Sequence, residues 1–148
     1  MAPRLPTALL MQIAARSAED RIVEALRAAG FDDVTLAQGR LMAGIDVEGT
    51  RIGVLAARAQ VSKQTATALL AKLERAGYAE RIPDLDDGRA TLIRPTARTL
   101  EAIEHARRQE AEIEADWSAH LGPRRMKQLR EALEMLREIT DPYFTPME

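Results

Sequence analysis

No cysteine occurs in the 148 residues. Disulfides, thiolate catalysis, cysteine-ligated zinc and thiol redox sensing are therefore excluded. Aromatic residues are nearly as scarce, at 3%: Phe31, Tyr78, Trp117, Tyr143 and Phe144. Single-stranded DNA and RNA are usually held on stacked aromatic side chains, so such partners are not expected. No apolar run approaches the roughly 20 residues that span a bilayer, and no membrane partner is expected. The stretch "MAPRLPTALLMQIAARSAEDR" is broken by Pro3, Arg4 and Pro6 and carries Glu19 and Asp20. It fits neither a secretory signal nor a transit peptide, which leaves a cytoplasmic address as the expectation. Glycine-rich phosphate loops, nucleophile elbows and paired catalytic acids are also missing, so an enzyme is not expected. His105 and His120 lie too far apart for a ligand motif, and neither a metal nor another cofactor is expected.

Against these absences stand 46% hydrophobic residues, mostly Ala and Leu, and 30% charged ones. That balance belongs to a folded, helix-rich protein. The net charge of −2 conceals a pattern, because residues 51–94 hold eight Lys and Arg against five Asp and Glu while both flanks are net acidic. A basic island on an acidic body points to a polyanionic partner.

Apolar periodicity predicts a helix over 7–29, capped by Thr7 and stopped by Gly30. Thr35 caps a second helix over 36–45, and "DVEGT" reads as a turn or a very short strand. A third helix covers 51–59 with Ile52, Leu55 and Ala56 inward. Ser62 then starts a fourth, "KQTATALLAKLERA", which Gly77 closes in the left-handed conformation. "YAERI" and "RATLIR", joined by "PDLDDG", read as a β-hairpin. Thr96 caps a long helix to about His120, Gly122 and Pro123 break it, and a last helix runs to about Ile139. The tail "DPYFTPME" reads as irregular. Short helix, turn, second helix and hairpin in that order make a winged helix-turn-helix, whose second helix enters the major groove of DNA.

At 100° per residue, the fourth helix turns Ala66, Leu69, Leu70 and Leu73 to one side. Gln64, Ala68, Ala71 and Arg75 lie opposite, flanked by Thr67 and Lys72. The outer side is thus small, polar or cationic, and Glu74 is its single acid. Gln64 suits the N6 and N7 of adenine, Thr67 several bases, and alanine the thymine methyl. Ser62 and the free N–H groups of the first turn suit a phosphate. In the hairpin, Asp84, Asp86 and Asp87 would repel DNA; they are better suited to ordering the turn and holding basic neighbours. Arg89 could then reach into a minor groove, and Arg81 sits at the wing base within range of a phosphate.

These residues resemble the MarR family of bacterial transcriptional regulators. The resemblance covers roughly residues 36–100, and its most specific element is the wing pattern D-x-x-D-x-R at Asp84, Asp87 and Arg89. The Leu73-to-Gly77 helix end and the "ER" of Glu80 and Arg81 precede it. The resemblance implies one domain over residues 1–148, mainly α with a small β-hairpin wing. Its winged helix-turn-helix lobe (about 36–100) is flanked by dimerisation helices (about 7–29 and 101–140). It further implies a homodimer on a palindromic duplex operator, most often a repressor, released by a small, often phenolic, effector. On the same basis Arg89 is the minor-groove arginine and Asp87 its partner. Ser62, Lys63, Gln64, Thr65 and Thr67 form the reading end of the recognition helix; from the faces and charges above, Lys72, Arg75 and Arg81 are expected to hold phosphates. The chain departs from the family pattern at Ala68, where many members carry arginine, at Pro95-Thr96 in place of Leu-Thr, and at Thr99 in place of glycine. Residues 1–35 and 101–148 match in helical character only.

The apolar stripe Met126, Leu129, Leu133, Leu136 and Ile139, with Leu10, Ile13, Ile22 and Leu26, exceeds what one slim lobe could cover; a two-fold interface would bury it. Two other readings stand beside the regulator: a winged-helix protein-interaction module without DNA binding, and a constitutive DNA-binding regulator with no effector.

Overall fold

The computed structural model describes residues 3–142. In chain order the elements are α1 (Thr7–Ala28), α2 (Leu36–Ala43), α3 (Ile52–Arg58), α4 (Lys63–Arg75), β1 (Ala79–Pro83), β2 (Thr91–Pro95), α5 (Ala97–Leu121) and α6 (Pro123–Thr140). The expected class, mainly α with one antiparallel hairpin, is the observed one. The chain forms two compact units that divide within α5, between Gln109 and Glu110.

In the first unit α2, α3 and α4 pack on one another, and α4 packs on β1. Leu41, Leu55, Leu70, Leu73, Tyr78 and Ile93 are fully buried at the centre. Local chemistry explains where each helix begins and ends. Thr35 and Gln38 form a reciprocal cap: the Thr35 N–H donates to Gln38 Oε1 at 3.0 Å and the Gln38 N–H to Thr35 Oγ1 at 3.2 Å. The helix they start ends at Ala43 rather than at the expected Ile45, because Gly44 takes the cap and Ile45 turns into the core. Thr7 is not a cap: Pro6 holds that position and offers no side-chain acceptor, so Thr7 is the first helical residue.

Between α3 and α4, Gln60 adopts φ +54°. Its N–H returns to the Ala57 carbonyl and that of Val61 to Ala56, each at 3.0 Å. This closed turn ends α3 before Ser62 starts α4. At the other end of α4, Gly77 (φ +81°) lets the Tyr78 N–H reach back to the Leu73 carbonyl at 2.8 Å.

The strands begin later than the expected 78–82 and 89–94, because Tyr78 is still closing α4 and residues 84–90 form the wing turn; Arg89 is thus in the turn. The register pairs Ala79 with Pro95 and Pro83 with Thr91, so both prolines sit at strand ends, where a missing N–H disturbs the ladder least. "DVEGT" is both of the things it suggested. Val47 and Glu48 turn, and Thr50 forms a single bridge with Ile93, each N–H bonding the other's carbonyl at 2.8 Å. Gly49 (φ +114°) makes this approach possible, since a Cβ there would lie 2.8 Å from the Cβ of Leu92.

Thr96 acts more as a tie than as a cap. Its hydroxyl donates to the Gly77 carbonyl at 2.6 Å and accepts from the Thr99 N–H only at 3.5 Å. The break at Gly122 and Pro123 is as expected, with Gly122 capping α6 and Pro123 its first residue. In the second unit Ile113 is buried, but no residue of α6 is. Most of the tail read as irregular, residues 143–148, lies outside the described residues.

Candidate nucleic-acid interface

Every outer residue of α4 is positioned by the inner ones. Ala66 and Leu70 have no exposed surface and Leu73 has 1%, which fixes the rotation of the helix about its axis. That rotation leaves Lys63, Gln64, Thr65, Thr67, Ala68, Lys72 and Arg75 exposed, with Ala71 half-buried. The start of the helix is ordered by Ser62, whose Oγ accepts the Thr65 N–H at 3.0 Å and donates to Thr65 Oγ1 at 2.8 Å. The Ser62 proton is thereby committed, whereas Thr65 keeps its own. Thr67 differs: its hydroxyl donates to the Lys63 carbonyl at 2.8 Å, leaving the oxygen free only to accept.

The basic residues of this segment fall into two groups. Arg51 is paired with Asp84, Arg58 with Asp46, Arg81 with Glu74 and Arg94 with Glu80, at 2.6–3.0 Å. Among the described residues, Lys63, Lys72, Arg75 and the guanidinium of Arg89 have no such acid partner. These four unpaired cations lie on α4 or on the wing turn. Arg81 is held beside α4, with its Nε 2.9 Å from Glu74 Oε1.

The wing turn is built on its aspartates. Asp84 is buried, and its Oδ2 accepts from Nε and Nη2 of Arg51 at 3.0 and 2.6 Å. Its Oδ1 accepts the Asp86 N–H at 3.0 Å. The Arg51 hydrogen bond, followed by that backbone N–H, holds the Asp84 carboxyl below its usual range, and Asp84 in turn raises Arg51. Asp87 accepts the backbone N–H of Arg89 at 3.2 Å, and its other oxygen stands 4.0 Å from Arg51 Nη2. Asp87 therefore partners Arg89 through the main chain and leaves its guanidinium unpaired.

A second joint fixes the far end of α4. The Tyr78 hydroxyl donates to Asp33 Oδ1 at 2.5 Å, and Arg98 donates to the same oxygen at 3.2 Å. Arg98 also donates to the Ala76 carbonyl at the end of α4, and its guanidinium lies 4.3 Å from the Tyr78 ring centre. Burial first, then the Asp33 bond, raises the Tyr78 phenol; the Tyr78 bond lowers Asp33. Thr99, where the family pattern has glycine, is buried and donates to the Tyr78 carbonyl. Sequence reasoning missed both Arg51 and this joint. Their partners lie 33 residues away for Arg51 and 45 for Tyr78–Asp33, with no periodic signal linking them. No group of three His, Asp or Glu among the described residues is placed to hold a metal ion, and no described helix is long and apolar enough to cross a membrane.

Residues 32–90 match the MarR family model. The fold is similar to that of a transcriptional regulator from Thermotoga maritima, with 25% identity, 97% of this chain and 100% of that one covered, and a TM-score of 0.65. It is also similar to apo MarR from E. coli (18%, 90% and 98%, TM-score 0.71) and to MepR of S. aureus as solved in a MepR–DNA complex (21%, 92% and 100%, TM-score 0.70). At such identities these last two are likenesses of fold. No curated protein matches the chain. The helix-turn-helix and the wing turn thus lie in the segment that matches the MarR family model, and the likeness of fold to these regulators reaches over at least nine-tenths of the chain.

Proposed function

We propose that this protein is a homodimeric, sequence-specific binder of double-stranded DNA that regulates transcription in the cytoplasm. The observation that carries the reading is the sorting of cations within residues 51–94: those free of acids lie on α4 or the wing turn, and the others are each paired with an acid. Phosphates attract unpaired cations far more than paired ones, because a paired cation releases no condensed counterion. Ser62 and Thr65 order the first turn near a phosphate, Gln64 and Thr67 face base edges, and Lys63, Lys72 and Arg75 steady the helix. Arg89 enters the adjacent minor groove. The S. aureus MepR–DNA complex supports duplex DNA as the partner.

Homodimerisation rests on the open apolar positions of the terminal helices. Leu9, Leu10, Met11 and Ile13 of α1 are exposed, as are Leu129, Leu133, Leu136 and Ile139 of α6. Water-facing rows of this kind are covered by a partner surface. A two-fold pair would read a palindromic operator with half-site centres about 10 bp apart or a multiple of that. Action as a repressor that a small phenolic ligand releases enters the proposal from the family resemblance alone.

Fluorescence anisotropy with labelled duplex and single-stranded DNA over a salt series tests the reading. Duplex should bind preferentially, with affinity falling steeply as salt rises. Equal affinity for both forms, or no salt dependence, would refute it.

A further inference from the structure

The outer face of α4 carries information about which bases it meets. Gln64, Thr67, Ala68 and Ala71 form one ridge, since residues three and four apart are neighbours on a helix. The ridge spans about 10 Å of helix axis, or about three base-pair steps. Within it no side chain is charged. The hydrogen-bonding groups are the Gln64 amide and the Thr67 oxygen, and the latter only accepts because its proton is held by the Lys63 carbonyl at 2.8 Å.

A guanine presents two acceptors, N7 and O6, to the major groove. Opposite this ridge those acceptors would find the Gln64 amide N–H and otherwise methyl groups and an acceptor-only oxygen. Buried acceptors without donors are strongly disfavoured. Adenine fits better, because its N6 amine donates and its N7 accepts, which matches the Gln64 amide on both edges and the Thr67 oxygen on one. The methyls of Ala68 and Ala71 stand where thymine methyls can meet them. Lys63 lies at the start of the ridge, while Lys72 and Arg75 lie toward the end of α4. Arg75 is about 16 Å along the axis from Gln64, in reach of backbone rather than of the same bases.

We propose that the centre of each operator half-site is a run of A·T pairs, with an adenine bound by Gln64 and Thr67 and thymine methyls packed on Ala68 and Ala71. The inference rests on the reading that α4 lies in the major groove and adds the base class it selects.

Selection of bound sequences from random duplex DNA, repeated with Gln64→Ala and followed by binding to the selected site with uracil in place of thymine, provides the test. Two or more consecutive A·T pairs should be enriched at the half-site centre. Gln64→Ala should lower discrimination at its adenine by about tenfold, and each lost thymine methyl should weaken binding about fourfold. A G·C centre would overturn the inference. So would an A·T centre indifferent to both changes, since the preference would then come from duplex shape. Tight binding without any enriched sequence would also overturn it while leaving DNA binding intact. Failure to bind any duplex would remove the underlying reading along with it.

Discussion

Arg51, the residue that opens α3, and Asp84, the first residue of the wing turn, are joined by two hydrogen bonds to one carboxylate oxygen, at 3.0 and 2.6 Å. The helix-turn-helix and the wing are thereby held to each other by a charged pair whose acid is buried, with 7% of its side chain accessible, and whose arginine is half open at 51%. Because the Asp84 oxygens also accept the Asp86 N–H, losing this carboxylate loosens the turn that presents Arg89.

The pH dependence of that joint has a defined sign. The folded state lowers the Asp84 pKa, so its stabilising contribution is fully present above the unfolded carboxylate value, about 3.9. It is lost as pH falls through the lower, folded value. Thermal melts between pH 7 and pH 3 should therefore show a larger fall in Tm for the wild type than for Asp84→Asn, with the variant already less stable at pH 7. Parallel curves would mean that the pair does not contribute.

The two wing arginines should behave differently. Arg89 has an unpaired guanidinium, and Arg89→Ala should weaken specific DNA binding by about 1–3 kcal/mol without altering the far-ultraviolet circular dichroism. Arg81 is held by Glu74 at 2.9 Å, so Arg81→Ala should cost less than Arg89→Ala. Glu74→Ala releases Arg81 toward the phosphates, and should strengthen binding and steepen its salt dependence by up to about one phosphate contact. Gel-shift titrations at several salt concentrations measure all three effects.

Backbone geometry gives a pair of opposite predictions. Gly49→Ala would place a Cβ 2.8 Å from that of Leu92 at φ +114°, and should destabilise the first unit by about 1–3 kcal/mol. Gln60 carries a side chain at φ +54°, a conformation that penalises a Cβ. Gln60→Gly should relieve that penalty and, after the greater flexibility of glycine in the unfolded chain, stabilise by about 0.5–1 kcal/mol. Urea midpoints at constant m would report both.

Much of this architecture was legible because it is locally encoded. Ser62 and Thr35 announce helix starts, Gly77 announces a stop, and the spacing of Ala66, Leu70 and Leu73 fixes which face of α4 is outer. Thr7 misled because a capping residue type stood one place too late, after a proline that already set the backbone for the helix. The hairpin limits slipped because the wing turn is stabilised by side-chain carboxylates, whose reach over several residues has no period to detect. The pairing of Arg81 went unread for a related reason. Composition counts charges, and only the fold decides that Glu74 neutralises this one while Arg75 and Arg89 remain unpaired.

The proposed dimer supplies the last prediction. Ile139 of α6 is 83% exposed in the single chain, so a charge there should cost the fold little. A carboxylate inside an apolar two-fold interface is costly, however, because it loses its hydration without gaining a partner. Ile139→Glu should therefore raise the dimer dissociation constant while leaving the helical circular dichroism of dilute protein unchanged, and sedimentation equilibrium measures this directly. The consequence for DNA follows from counterion release: the slope of log affinity against log salt is proportional to the number of phosphates neutralised. A dimer on a palindrome neutralises twice as many as a monomer on a half-site, so monomeric Ile139→Glu should bind the same operator with about half the wild-type slope. A monomeric variant that kept the full slope would place all the phosphate contacts within one chain, and the two-fold arrangement would then have no part in operator binding.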